Sequence, residues 1–156
     1  MSTFQLVGLA HEQFEPLFEL SDPQLAELGA VRVTADETPG YPCRVSLVDA
    51  EVGESLLLLP YVHQSALSPY RASGPIYVRR GSRQQTLAAD EIPPYVSRRL
   101  ISVRAYDATD MMLDANVCDG SNVAREIERQ FGNELVAYVH LHNAKRGCFS
   151  CRVNRA

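Results

Sequence analysis

The C-terminal stretch Val136-Ala-Tyr-Val-His140-Leu-His142-Asn-Ala-Lys-Arg-Gly147-Cys148-Phe-Ser-Cys151-Arg-Val153 sets a His-x-His pair and a Cys-x-x-Cys pair on either side of a glycine-bearing turn. Four metal-capable side chains fall within twelve residues. In an extended strand, His140 and His142 project to one face together with Tyr138. Two neutral imidazoles so placed suit Zn²⁺. The cysteines fit less well, because strand positions 148 and 151 point to opposite faces, and the sequence offers no second Cys-x-x-Cys knuckle. Phe149, Cys151 and Val153 read as one buried face, with Cys151 a small core residue. The plainer reading of the Tyr138-His140-His142 row is the solvated face of an antiparallel strand. No residue is therefore assigned as a metal ligand and no cofactor is named. A domain stabilised by zinc on His140, His142 and one of the cysteines stands as an alternative.

The arginines, histidines and tyrosines form a wider constellation. Arg44, Arg79, Arg104 and Arg152 each fall in a predicted strand opposite an apolar set, and Tyr77, Tyr106, Tyr138, His140 and His142 alternate in the same way. Strands sharing one sheet in register would line a face with these residues. Such a face holds a phosphate or carboxylate through forked hydrogen bonds. The competing expectation is that Asp107, Asp110 and Asp114 neutralise the guanidiniums in ion pairs. Residues Pro60 to Pro75 read as a long connection carrying Tyr61, His63, Gln64, Ser68, Tyr70 and Arg71, and loops of that length are often binding loops. The expected site thus takes a small anionic ligand, with His63 or His140 as acid/base. Arg44, Arg71, Arg79, Arg104 and His142 are its binding groups, and Tyr70 is its wall. Cys43 is a candidate nucleophile with His63 or His140 as base, against the plainer reading of a packed strand-start cysteine. Cys118 carries no motif.

These groups must be positioned by strands. Phe4 to Leu9 opens extended, and Glu12 to Leu20 reads as a helical segment broken by Pro16. Ser21 or Asp22 before Pro23 starts a helix that Gly29 ends. Val31 to Val33, Arg44 to Asp49, Ser55 to Leu59, Ile76 to Arg80 and Leu100 to Tyr106 are strand candidates. In the last of these Ile101, Val103 and Ala105 share one face and Ser102, Arg104 and Tyr106 the other. Pro93 to Arg99 is a short helix. Ser121 to Phe131 is the strongest one, with Val123, Ile127 and Phe131 recurring every four residues. Leu135 to His142 and Cys148 to Val153 close the chain as paired strands. Strands outnumber helices and few helices separate them. The expected fold is α+β, a single domain over residues 1–156, with a mostly antiparallel sheet and a few helices packed on one face.

Composition narrows the function classes. The chain has 156 residues, 46% hydrophobic and 22% charged, enough for one filled core. The longest apolar run is strand-sized, so no membrane span is expected, and no basic-then-apolar leader is present. The expected compartment is the cytoplasm, where four cysteines would be reduced thiols. Net charge is −4. Residues 1–54 hold ten acidic and two basic side chains, while residues 55–156 hold nine acidic and thirteen basic. That asymmetry supports a second alternative, a non-enzymatic interaction module with its acidic region on a basic partner. An acidic chain without a basic run argues against general nucleic-acid binding. Signature loops for nucleotides, serine hydrolases and zinc proteases are absent. Oligomeric state is left open.

The strings Gly40-Tyr-Pro-Cys-Arg44, Leu58-Leu-Pro-Tyr61, Ser68-Pro-Tyr-Arg71, Gly74-Pro-Ile-Tyr-Val-Arg79 and Gly147-Cys-Phe-Ser-Cys-Arg-Val153 together resemble a family of small bacterial proteins known only as domain-of-unknown-function family 1203. The likeness runs from about Phe4 onward. It implies a single-domain bacterial protein and supplies no activity or catalytic residues to carry over.

Overall fold

The computed structural model describes residues 3–156. Its strands divide between two five-stranded sheets. The first sheet is assembled from the chain's two ends. β1 (Phe4–Val7) lies beside β10 (Phe149–Arg155), followed by β9 (Val136–Asn143), β7 (Leu100–Asp107) and β8 (Met112–Asp119), all antiparallel. Its period-two pattern sorts the side chains as expected. Ile101, Val103, Ala105, Val139, Leu141, Cys151 and Val153 are buried in one core with Phe4 and Leu6. Against that face pack α2 (Pro94–Ser97) and α3 (Val123–Phe131), whose Tyr95, Val96, Val123, Ile127 and Phe131 complete the core. The α+β class with helices on one face of antiparallel strands is what the structure has, with the strands shared between two sheets.

The second sheet runs β2 (Val31–Thr34), β5 (Ser55–Gln64), β6 (Ala72–Arg79), β3 (Pro42–Cys43), β4 (Val48–Asp49), and only β3 against β6 is parallel. Its core is Leu57, Leu59, Ile76, Val78 and Cys43, covered by Phe14, Phe18 and Leu25. Leu25 comes from α1 (Asp22–Glu27), which begins in a capping box. The Ser21 side chain accepts from the Gln24 amide and Gln24 reaches back to the Ser21 amide. The broken segment around Pro16 is a 3₁₀ turn, Glu15–Glu19.

Two expectations change, and one strand was not expected. Arg44–Leu47 is a tight turn between two short strands, closed by the Leu47 amide on the Cys43 carbonyl at 3.0 Å, with Leu47 at a φ of 56°. The long Pro60–Pro75 connection shrinks to residues 65–71. Pro60 faces Pro75 in the ladder, and two prolines can face one another where an antiparallel pair exchanges no N–H bonds. β8 had no sequence signature, because an edge strand exposed on both faces need not alternate.

The sheets are fastened where β1 runs on past the Arg44–Leu47 turn. The Gly8 amide donates to Gln85 at 2.7 Å and the Leu9 amide to Arg44 at 2.9 Å. A Cβ on Gly8 would sit 2.1 Å from the Val45 carbonyl oxygen, so only glycine fits this crossing.

Candidate functional site

The face of the first sheet opposite α3 is polar, and its register sets the site. Tyr138, His140 and His142 on β9 stand opposite Tyr106, Arg104 and Ser102 on β7. On the other side, β10 places Arg152 opposite His140 and Phe149 opposite His142. A bulge between Phe149 and Cys151 puts them on opposite faces. Phe149 therefore joins the histidines, and Cys151 sinks into the helix-backed core with its thiol pushed up to about 12 by burial.

The second sheet supplies the third histidine. A register shift between Val62 and Gln64 leaves His63 at a bulge near the end of β5. Two consecutive side chains thereby reach the polar face. Gln64 donates to the Tyr138 hydroxyl at 3.0 Å, and the His63 ring stacks on Phe149 with centroids 5.5 Å apart and meets His142 edge-on at 5.0 Å. His63, His140 and His142 present ligand-capable nitrogens within 4.8 Å of one another, and neither Cys148 nor Cys151 belongs to this cluster.

The imidazoles are kept neutral. His140 is 4% exposed and His142 1%. Desolvation, aided by mutual repulsion and by Arg104, lowers His140 to about 3 and His142 to about 4. Desolvation and Arg104 lower His63 as well. The Gly147 carbonyl accepts from His142 Nδ1 at 2.9 Å, which fixes the tautomer and leaves Nε2 as a lone pair. That lone pair faces Arg104 Nη1 at 3.5 Å. The Nδ1 atoms of His63 and His140 are buried without a hydrogen-bond partner among the described residues. Tyr106 touches His140 edge-on at 5.2 Å and Tyr70 touches Tyr106 at 6.1 Å, so aromatic rings wall the cluster.

Two of the expected binding arginines lie away from this face. Arg79 pairs with Glu54 at 2.9 Å and Arg71 is exposed, donating to the Ser65 carbonyl of its own loop. Arg104 and Arg152 have no carboxylate partner among the described residues: Arg104 bonds Ser102, and Arg152 covers the Tyr138 ring at 4.2 Å. The three aspartates expected to neutralise the strand arginines serve otherwise. Asp110 accepts from Tyr138, Asp114 pairs with Arg129, and Asp107 caps the turn before β8. Cys43 is wholly buried, its sulfur accepting from the Arg79 amide.

Arg44 marks a second site. It is 1% exposed and lies between the sheets, donating to the carbonyls of Phe149 at 2.8 Å and Pro42 at 2.7 Å and to Cys148 Sγ at 3.2 Å. It stands at the base of a cleft of about 400 Å³. Arg98, Arg99, Lys145 and Arg146 line the cleft with Tyr77, Pro39, Pro42, Leu100, Asn143 and Cys148, and Glu37 is its one acidic lining residue. Arg98 and Arg99 are braced by the buried Asp49, whereas Lys145 and Arg146 are exposed and make no ion pair among the described residues. Sequence reading missed this cleft. Its signal was two adjacent basic pairs, Arg98-Arg99 and Lys145-Arg146, with nothing to say that the fold brings them together.

The β9–β10 turn joins the two sites, since its Gly147 holds His142 while its Lys145, Arg146 and Cys148 line the cleft. Among the described residues no helix is long and apolar enough to cross a membrane. No curated protein and no solved structure matches the chain. Residues 40–155 match the family model described as protein of unknown function (DUF1203), a span that includes Arg44, all three clustered histidines and both basic pairs. The chain belongs to the DUF1203 family.

Proposed function

We propose that this protein binds a small anionic molecule, and that the ligand sits in the cleft between Arg98-Arg99 and the Lys145-Arg146 turn. The observation that carries this reading is the lining of the cleft: five cationic side chains against one acidic one around about 400 Å³. That volume is of the size that holds metabolite-sized ligands. Asp49 offsets part of the charge on Arg98 and Arg99 and holds their guanidiniums in place, so little ordering is left to do on binding. Arg44 adds a buried positive charge behind them, and Tyr77, Pro39 and Leu100 offer apolar surface to the remainder of the ligand. The ligand class is a phosphate or carboxylate with a small organic body.

The test is thermal unfolding with inorganic phosphate and with a panel of small phosphomonoesters and dicarboxylates. A saturable rise in Tm is expected for at least one probe. The Lys145→Ala/Arg146→Ala double variant should keep its Tm without ligand and lose about tenfold in affinity, roughly 1.4 kcal/mol. An unchanged ligand response in that variant, or no response to any probe, would sink the cleft reading.

A second reading places the anion on the polar face of the first sheet, where Arg104 and Arg152 lack carboxylate partners. It predicts that Arg104→Ala, and not the double variant, removes the ligand response. Packing favours the cleft, because Tyr106, Tyr138, His140 and His142 are all less than a tenth exposed.

A further inference from the structure

We infer that His63, His140 and His142 bind one first-row transition-metal ion, with Zn²⁺ the best match. The inference does not rest on the cleft reading.

Geometry carries it. Two sheets with separate cores each send imidazoles to one point, so that three ligand nitrogens lie within 4.8 Å of one another. Tetrahedral zinc with Zn–N bonds of about 2.0–2.1 Å holds its ligand nitrogens roughly 3.3 Å apart. Side-chain rotation must therefore bring the nitrogens closer together than they stand. His63 has the freedom to do so, being half-buried at a strand end, while His140 and His142 are fixed by packing.

The polar bookkeeping points the same way. Buried imidazole nitrogens are normally hydrogen-bonded, and leaving one without a partner is costly. Nδ1 of His63 and Nδ1 of His140 are both orphans. His142, by contrast, gives its Nδ1 proton to the Gly147 carbonyl and directs a lone pair from Nε2. An imidazole that donates its other N–H to a backbone carbonyl is the usual state of a metal-bound histidine.

The alternatives explain less. A buried catalytic dyad needs a histidine paired with an acid or a nucleophile, and none of the three has one among the described residues. Simple core packing accounts for the ring stacking on Phe149 but leaves both orphaned nitrogens unexplained. Arg104 is the opposing force. Its charge disfavours a bare cation, and its contact with His142 Nε2 must give way. With no carboxylate in the ligand set the ion keeps its full charge, so the same arginine favours a hydroxide or small anion at the fourth position. A three-histidine ion with such a fourth ligand has the donor set of catalytic zinc sites.

The experiment is titration of chelator-treated, refolded full-length protein with Zn²⁺ by calorimetry and with Co²⁺ by visible absorption. One ion per chain is expected, with the intense d–d bands of low-coordinate cobalt. His63→Gln removes one ligand from a half-buried strand end and should fold normally by circular dichroism. It should weaken binding by more than the roughly 10–100-fold that even an outer-shell partner is worth. His140→Gln should do the same. Cys148→Ala and Lys145→Ala/Arg146→Ala should bind metal like the unaltered chain, which separates this site from thiol binding and from the cleft. Absence of stoichiometric binding, or equal binding by His63→Gln, would overturn the inference.

Discussion

The histidine face and the basic cleft lie on two sides of one turn and solve opposite problems. On the face, titratable groups are buried among aromatic rings and held neutral. In the cleft, permanently charged groups stand in or near solvent around a volume fit for a molecule. Burial converts an ionisable side chain into a ligand with a free lone pair, whereas exposure keeps it a counter-charge. The same few residue types, Arg, His and Lys, serve both ends because the fold decides how much water each one keeps.

The change that should most disturb both regions is at Arg44, which forms the wall between them. Its guanidinium satisfies the Phe149 carbonyl behind the histidine face and the Pro42 carbonyl beside the cleft. Arg44→Met would leave both carbonyls buried without a donor and remove hydrogen bonds from a charged group. A loss of about 3–5 kcal/mol in urea unfolding is expected. A loss under about 1 kcal/mol would mean that the two regions are not tied together through this residue.

The next effect separates them by pH. In chelated protein the unfolded histidines take up protons near 6.5, whereas folded His142 and His140 do so only near about 4 and about 3. Between those values the unfolded state binds more protons, so stability is full above pH 6.5 and falls as the pH drops through this window. The groups facing these rings, Arg104 on β7, Arg152 on β10 and His63 on β5, all act in the same direction. The slope approaches about 1.4 kcal/mol per pH unit for each histidine. His140→Gln should flatten it, and the cleft variant Lys145→Ala/Arg146→Ala should leave it unchanged. Equal slopes in the unaltered protein and His140→Gln would show that the face is more hydrated than its packing implies.

Legibility in the sequence follows the same division. The row Tyr138, His140, His142 and the opposing row Ser102, Arg104, Tyr106 were readable because strand parity needs only local spacing, and the ladder keeps them in register. Helix α3 was readable from its four-residue repeat. Parity fails at a bulge, however, and two of the misreadings sit beside one. The shift in β10 moved Phe149 away from Cys151, and the shift in β5 let His63 and Gln64 reach the same face. The cysteines looked like the histidines' natural partners because they were close in sequence. The histidine that joins the cluster is 77 residues before His140 and comes from the other sheet. The cleft was hidden for a related reason, since Arg98-Arg99 and Lys145-Arg146 meet only because β7 pairs with β9.

The smallest predicted effect tests the turn that both regions share. Gly147 has a φ of +80°, and a Cβ there would meet nothing within 4 Å. Gly147→Ala therefore adds no clash and costs only the left-handed backbone of a residue with a side chain, about 1 kcal/mol. If the turn holds its shape, His142 keeps the Gly147 carbonyl as acceptor, and both metal and anion affinities should move by less than about threefold, since neither depends on the missing side chain. If the turn yields, the two affinities should fall together, because His142 loses the bond that sets its tautomer while Lys145 and Arg146 lose their positions. A fall in one affinity alone would show that the face and the cleft are neighbours without a common hinge. Paired titrations of this one variant, with Zn²⁺ and with the anion that raises the Tm of the unaltered protein, distinguish the three outcomes.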